Sequence, residues 1–171
     1  EAQIRLMEHL HNHSGKRSML VLRPADSEET VAAWKMAMEE TRPVALILSR
    51  QNIKSLPAIN GKSRREEAMQ AEKGGYVVLE NKDAKVTLIA TGSEVDGAEI
   101  LAAEGIATRV VSIPSEGLFR DQSKEYQAEV LGNLPRYGMT SGLSLNLAGL
   151  VGENGFIHGF DHFGYSAPFK V

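Results

Sequence analysis

Short apolar runs in this chain alternate with stretches in which apolar residues recur every three or four positions. Residues 44–48 (VALIL) are wholly apolar, and residues 18–22 (SMLVL) are similar. Such runs are typical of strands that are buried on both faces, as in the middle of a parallel sheet. Between them, Val31, Trp34 and Met38 recur at helical spacing. The pattern predicts a strand, a helix and a strand, which form a right-handed βαβ unit in a parallel sheet.

Two helices in this part of the chain are expected to bury apolar faces. In the helix predicted for residues 2–12, Ile4, Met7 and Leu10 share one face, and Arg5 and Glu8 lie between them. The helix predicted for residues 27–40 follows Asp26, which forms a capping-box pattern with a glutamate three residues later. Its charged side chains are expected to face water: Glu28, Glu29 and Lys35.

Two strands alone do not make a stable sheet. The first 52 residues are therefore expected to be the end of a domain that begins upstream. Unpaired strand edges or exposed apolar surface should remain. This part should be poorly supported unless a partner chain covers it.

Residues 53–75 interrupt the pattern. They show no sustained period and contain Pro57, Asn60, Gly61 and a charged run, so we expect a solvated linker with one short surface helix over residues 64–72.

Strands and helices alternate again after this linker. A helix is predicted for residues 94–104, ended by Gly105, and another for residues 122–131, capped by Asp121. The predicted strands are residues 76–79, 85–90, 108–113 and 156–160. This order is typical of an α/β layer structure.

Composition narrows the classes of function. The 171 residues are 42% hydrophobic and 24% charged, which is typical of a soluble globular protein. A formal net charge of −3 gives no basic field for nucleic acid, and no apolar run reaches the roughly 18 residues of a membrane span. The chain has no cysteine, which excludes disulfides and thiolate catalysis and fits a cytoplasmic location.

The clearest candidate chemistry follows residues 44–48. Four polar residues, SRQN at 49–52, lie at the carboxyl end of this predicted strand, the edge where open α/β sheets bind ligands. Arg50 can offer a planar, permanently charged guanidinium to a phosphate or a carboxylate. The alternative is that Arg50 caps the sheet or pairs with a nearby acid.

Two other patterns are weaker candidates. Residues 91–94 (TGSE) join a strand to a helix and could bind an anion, although small residues there also serve simply to turn the chain. His9, His11 and His13 alternate, but residues two apart on a helix point to different faces. His158 and His162 would lie too far apart on a strand to chelate readily. We therefore predict no metal site.

Six stretches, taken in order, resemble the transketolase family. They are LRPADSEETVAAWK (22–35), PVALILSRQN (43–52), KGGYVV (73–78), LIATGSEV (88–95), RVVSIPS (109–115) and DHFGYSAPFKV (161–171). Residues 141–156, SGLSLNLAGLVGENGF, resemble a bacterial branch of the family.

The resemblance implies a homodimeric enzyme that uses thiamine diphosphate and Mg²⁺. Such enzymes transfer a two-carbon ketol unit between sugar phosphates in the pentose phosphate pathway, and their active sites lie between subunits. Residues 1–52 resemble the end of the middle, pyrimidine-binding domain, a βαβ remnant of a thiamine-diphosphate-binding domain. Residues 53–75 would be a linker. Residues 76–171 resemble the carboxyl-terminal domain, which implies a three-layer α/β/α fold with a mostly parallel sheet.

The resemblance assigns a role to one site residue. In the family, the arginine of SRQN contacts the substrate phosphate, and here it is Arg50. The family's catalytic histidines, its thiamine-activating glutamate and its diphosphate and magnesium motif are not in this sequence. We therefore expect no catalytic, cofactor-binding or metal-binding residue, and no activity of this chain alone. Its expected roles are substrate-phosphate contact and dimer or domain scaffolding.

Two alternatives stay open. One is a stand-alone α/β module for anion binding or dimerisation. The other is a related thiamine enzyme such as deoxyxylulose phosphate synthase, although the SRQN and RPAD stretches favour transketolase.

Overall fold

The structure is a computed structural model that describes residues 2–162. Most of the DHFGYSAPFKV stretch therefore lies outside the described residues. The helices are α1 (Ala2–Met7), α2 (Ser27–Glu39), α3 (Arg64–Ala68), α4 (Glu94–Ala103), α5 (Glu116–Asp121) and α6 (Lys124–Leu131), with 3₁₀ helices at Met69–Lys73 and Ser144–Leu147. The strands are β1 (Leu20–Leu22), β2 (Val44–Leu46), β3 (Tyr76–Glu80), β4 (Val86–Ala90), β5 (Thr108–Ser112), β6 (Arg136–Met139) and β7 (Phe156–His158).

The predicted βαβ unit is confirmed. β1 pairs with β2 in parallel, with Leu20 opposite Val44, and α2 connects the two strands. The prediction that residues 44–48 are buried on both faces is wrong. β2 ends at Leu46, its residues are half-buried and Leu48 is exposed. A sheet of two strands offers too little surface to cover both faces of β2.

Helix α1 and the residue after it bury charged side chains and expose apolar ones, which is the reverse of the prediction. It ends at Met7 rather than at residue 12, and Ile4 and Met7 are exposed. Arg5 and Glu8 are instead 3% and 2% exposed. Both charged side chains find polar partners in the second half of the chain, which offsets the cost of removing them from water.

Helix α2 does the same. Val31, Trp34 and Met38, expected in the core, are exposed, and Trp34 keeps 53% of its surface accessible. Glu29, expected to face water, is fully buried. Asp26 caps the helix as predicted, since its carboxylate accepts a hydrogen bond from Glu29 N at 2.8 Å. The first part of the chain therefore leaves apolar surface exposed, as expected for a sheet of only two strands.

The second half forms the predicted α/β/α layers around a mostly parallel sheet. Its strand order is β3-β5-β4-β6-β7, and only β3 runs antiparallel to its neighbour. Side chains alternate between the faces along β4. Leu88 and Ala90 pack in one core with Val95 of α4, and Ile89 packs in the other with Phe119 of α5.

A helix boundary in the second half was also predicted wrongly. Asp121 does not cap a helix but ends α5, an unpredicted helix that begins after Ser115. The cap of α6 is Ser123, whose hydroxyl accepts from Tyr126 N at 3.2 Å. A serine and an aspartate two residues apart are equally good caps by sequence, so packing decides between them.

The segment expected to be a solvated linker is packed against the rest of the molecule. Leu56 and Ala71 are buried in the core shared with β3 and β4, and Ala68 is buried as well. Glu67, 2% exposed, accepts hydrogen bonds from the amides of Ile59 and Asn60. The predicted short helix is confirmed as α3. No helix in residues 2–162 is long and apolar enough to cross a bilayer.

Candidate functional site

The candidate site lies at the carboxyl edge of the small sheet. The ladder continues one residue beyond β2, where Ile47 N donates to Leu22 O at 2.8 Å. The chain then leaves the sheet, so residues 49–52 lie where β1 and β2 both end. Parallel pairing brings this edge and the turn after β1 together.

Arg50 is exposed at this edge, as are Ser49, Gln51 and Asn52. Ser49 Oγ accepts from Gln51 N at 3.3 Å, which closes a local turn. Within residues 2–162, no hydrogen bond or ion pair engages the Arg50 guanidinium. The alternative that Arg50 pairs with an acid is therefore not found in the described part of the chain. Its donors can bind a phosphate or a carboxylate through two parallel hydrogen bonds.

A buried carboxylate anchors the loop that carries Arg50. Asp26 accepts from Leu56 N at 3.0 Å and from Arg64 Nε at 2.8 Å. The hydroxyls of Ser27 and Ser55 lie 3.1 Å apart. β2 therefore holds one end of the loop, and the start of α2 holds the other.

A second carboxylate extends this anchor into the larger sheet. Glu29 accepts from Tyr76 OH at 2.7 Å, from Ala25 N at 2.7 Å and from Arg64 Nη2 at 3.3 Å. Burial raises the pKa of Glu29, although these three donors oppose the rise. Burial likewise raises the pKa of Tyr76. The network joins α2 to β3 and is structural.

Buried charges of the first 17 residues hold them against α5. Glu8 accepts from Ser115 Oγ at 2.7 Å and from Gly117 N at 3.0 Å. Two parallel bonds of 2.6 Å join Arg17 to Asp121. Burial raises the pKa of Glu8. Sequence reasoning missed these contacts; the available signal was that Arg5 and Glu8, three apart, share a helix face.

The TGSE turn at residues 91–94 contacts the guanidinium of Arg23. Arg23 donates to the Thr91 carbonyl at 3.0 Å and to Glu94 Oε2 at 2.8 Å. Gly92, at φ +63°, makes the tight turn from β4 into α4. The structure therefore supports the alternative of a structural turn over that of an anion site.

The histidines do not assemble a metal site. Residues 2–162 contain no group of three or more side chains that could hold a metal ion. His11 and His13 are exposed, and burial together with nearby arginines lowers the pKa of His9. His158 and His162 each lie edge-to-face against Phe160.

Fold and site together define an α/β protein with two sheets, one of which presents a cation at the edge where such sheets bind ligands. Two family profiles match the chain: "Transketolase, pyrimidine binding domain" over residues 1–55 and "Transketolase-like TK C-terminal domain" over residues 74–171. The chain belongs to the transketolase family.

Individual proteins that the chain resembles are also transketolases. The transketolase of Cereibacter sphaeroides is 42% identical over 168 residues, which is 95% of this chain and 25% of the relative. The structure of transketolase from Leishmania mexicana matches with a TM-score of 0.75 at 28% identity, over 97% of this chain and 23% of that one. A Pichia stipitis transketolase in complex with xylulose 5-phosphate matches with a TM-score of 0.70 at 34% identity, over 90% and 22%. The chain spans about a quarter of the length of the curated relatives.

Proposed function

We propose that this chain is the carboxyl-terminal portion of a transketolase that transfers a two-carbon ketol unit between sugar phosphates in the pentose phosphate pathway. The match of two transketolase domain profiles in consecutive parts of the chain supports this reading. The xylulose 5-phosphate bound to the Pichia stipitis relative supports the substrate class. The whole enzyme would be a cytoplasmic homodimer of bacterial type.

The proposed domain division is residues 1–52, 53–75 and 76–171. The profiles leave residues 56–73 between their matches, and each flanking part has its own sheet, which supports this division. Since residues 53–75 are packed, this connection holds the two domains together.

Arg50 is the proposed contact for the substrate phosphate. The observation that carries this is its exposed guanidinium, unengaged within residues 2–162, at a strand-end edge. A guanidinium fork can hold two phosphate oxygens at once and so orient the sugar chain that extends from them. Its contribution is binding and orientation rather than bond making.

The cofactors would be held elsewhere. The enzyme would use thiamine diphosphate, which supplies the carbanion chemistry of ketol transfer, and Mg²⁺. Within residues 2–162, no group of three or more histidine, aspartate or glutamate side chains could hold a metal ion. Since the chain spans about a quarter of the length of its curated relatives, we propose that the 171-residue chain by itself does not catalyse ketol transfer.

The test is Arg50→Ala in the full-length enzyme that carries this sequence. We expect kcat/KM for phosphorylated ketose donors to fall about ten- to a hundredfold, because losing a charge-assisted contact costs roughly 1.5–3 kcal/mol. Unphosphorylated donors should be affected much less. Steady-state kinetics on both donor types measure the difference.

The matched control is Arg65→Ala, which removes an exposed arginine from its pair with Glu28 and should leave both donor types unchanged. An equal loss on phosphorylated and unphosphorylated donors in Arg50→Ala would assign Arg50 a structural role.

A further inference from the structure

The larger sheet has a ligand-binding position of its own. The chain leaves β4 through α4 on one face and reaches β5, then returns through α5 and α6 on the other face to β6, which lies on the opposite side of β4. The point between β4 and β6 is therefore a topological switch point. Open α/β sheets bind their ligands in the crevice at the carboxyl ends of the strands at such a point.

Arg23 from the first part of the chain lies across this crevice. Its guanidinium reaches residues that follow both strands: Thr91 O after β4 at 3.0 Å and Ser141 Oγ after β6 at 2.9 Å. It also pairs with Glu94 at 2.8 Å, and its amide donates to Pro114 O at 2.8 Å. Arg23 is only 7% exposed.

Arg5 lies at the neighbouring position. It donates to Thr140 Oγ1 at 3.0 Å and pairs with Glu116 at the start of α5. Between the two arginines there remains a cavity of about 10 Å³, which has room for about one water molecule. The arginine side chains therefore fill the crevice.

The crevice has the charge and the shape for a guanidinium. Apart from the two arginines, the crevice is lined by the carboxylates of Glu94 and Glu116. These carboxylates would repel a phosphate at the position where many α/β sheets hold one. A Cβ atom on Gly92 would lie 3.1 Å from Arg23 Cζ, and one on Gly142 would lie 3.0 Å from Arg5 Nη1. Glycine at both turns lets each guanidinium approach the backbone closely.

We propose that the switch-point crevice of the second domain is a guanidinium-binding site whose ligand is the arginine pair Arg23 and Arg5 of the same chain. Many α/β sheets bind a small molecule at this position. In this chain the same position binds two arginines of the preceding domain. This inference does not depend on the proposed enzymatic activity.

The test is chemical rescue of Arg23→Ala in the 171-residue chain. Removing one partner of a buried pair should lower the Tm by roughly 6–20 °C. Guanidinium chloride, at concentrations far below those that unfold proteins, should raise the Tm of the variant again with a saturable dependence, while equal NaCl should not. The control Arg65→Ala, which empties an exposed pair with Glu28, should show no such rise.

If the Arg23→Ala chain does not fold, a second pair of variants tests the proposal. Glu94→Gln keeps Arg23 and the shape of the crevice but removes its charge partner, and should lower the Tm by several degrees. Glu28→Gln removes the partner of the exposed Arg65 and should leave the Tm nearly unchanged. Equal shifts for the two variants, or equal effects of guanidinium and sodium on a folded Arg23→Ala, would overturn the proposal.

Discussion

At the scale of single residues, three arginines of this chain lie in three different environments. The side chain of Arg64 is 9% exposed and lies between the carboxylates of Asp26 and Glu29. Arg23 is buried in a crevice of a distant sheet, and Arg50 is exposed. A buried charge requires partners, because its desolvation is otherwise uncompensated. The two buried arginines therefore have structural partners, whereas no partner within residues 2–162 engages the Arg50 guanidinium, as its proposed role requires.

The burial of Glu8 predicts how the folding stability depends on pH. Burial raises its pKa in the folded chain above the ordinary 4.5. The folded state therefore binds the proton more tightly than the unfolded state, and the contribution of Glu8 to stability is lost as the pH rises from 4.5 through the folded-state pKa. Urea unfolding at a series of pH values should show this decline in the wild type relative to Glu8→Gln.

Glu66 provides the control of opposite sign. Hydrogen bonds from Ser63 lower its pKa below 4.5. Its contribution to stability should therefore be present above pH 4.5 and be lost as the pH falls. A wild-type advantage over Glu8→Gln that grows with rising pH would contradict the assignment of Glu8.

At the scale of elements, both α1 and α2 are amphipathic, but each turns the unexpected face inward. In α2 the buried face contains Ala32 and Ala33, whose small side chains allow close packing, together with Glu29, whose carboxylate is satisfied by Tyr76. Apolar periodicity identifies a helix with two faces. It identifies the buried face only when the other face cannot satisfy its polar groups in the interior.

A pair of substitutions tests the orientation of α2. Met38→Gln should change the free energy of unfolding of the 171-residue chain by less than about 1 kcal/mol, because Met38, on the same face as Trp34, is 83% exposed. Leu22→Ala, at a fully buried position, should cost roughly 2–5 kcal/mol. Denaturant titrations of both variants measure this, and a large loss for Met38→Gln would place that face of α2 in a core.

At the scale of the whole molecule, helix α2 joins the two parts: it packs against β1 and β2 in one cluster and into the core of the larger sheet in another. Ala25 and Ala32 from the first part, Leu56 from the connection, and Tyr76 and Leu88 from the second part belong to a single buried cluster. Buried ion pairs add to it. The second part of the chain therefore gives the first part contacts that the sequence did not predict, and the expectation that the first 50 or so residues need a partner chain for support stays a prediction.

This shared core predicts one cooperative unfolding transition. Trp34, the only tryptophan, reports on the first part, whereas all four tyrosines lie after residue 75 in the sequence. Tryptophan fluorescence and the near-ultraviolet signal of tyrosine should change at the same denaturant concentration. A tryptophan transition at lower denaturant would show that the two parts unfold separately.

The sequence by itself determined most of the strands and helices, although not α5 or β6, together with the parallel βαβ unit, the layered second domain, the family and the choice of Arg50. Each of these depends on local signals: apolar runs, helical periodicity, caps and short motifs, which act between residues close in the chain. The exposure of Arg50 is consistent with its proposed role, and that role stays a prediction.

Only the tertiary structure decided which helix faces are buried, that the connection is packed and that Arg23 and Arg5 fill the crevice of the second sheet. Arg23 meets Glu94 71 positions away, and Arg5 meets Thr140 135 positions away. No periodicity or motif records such pairings. Whether a charged side chain can be buried depends on the partner that the fold brings to it.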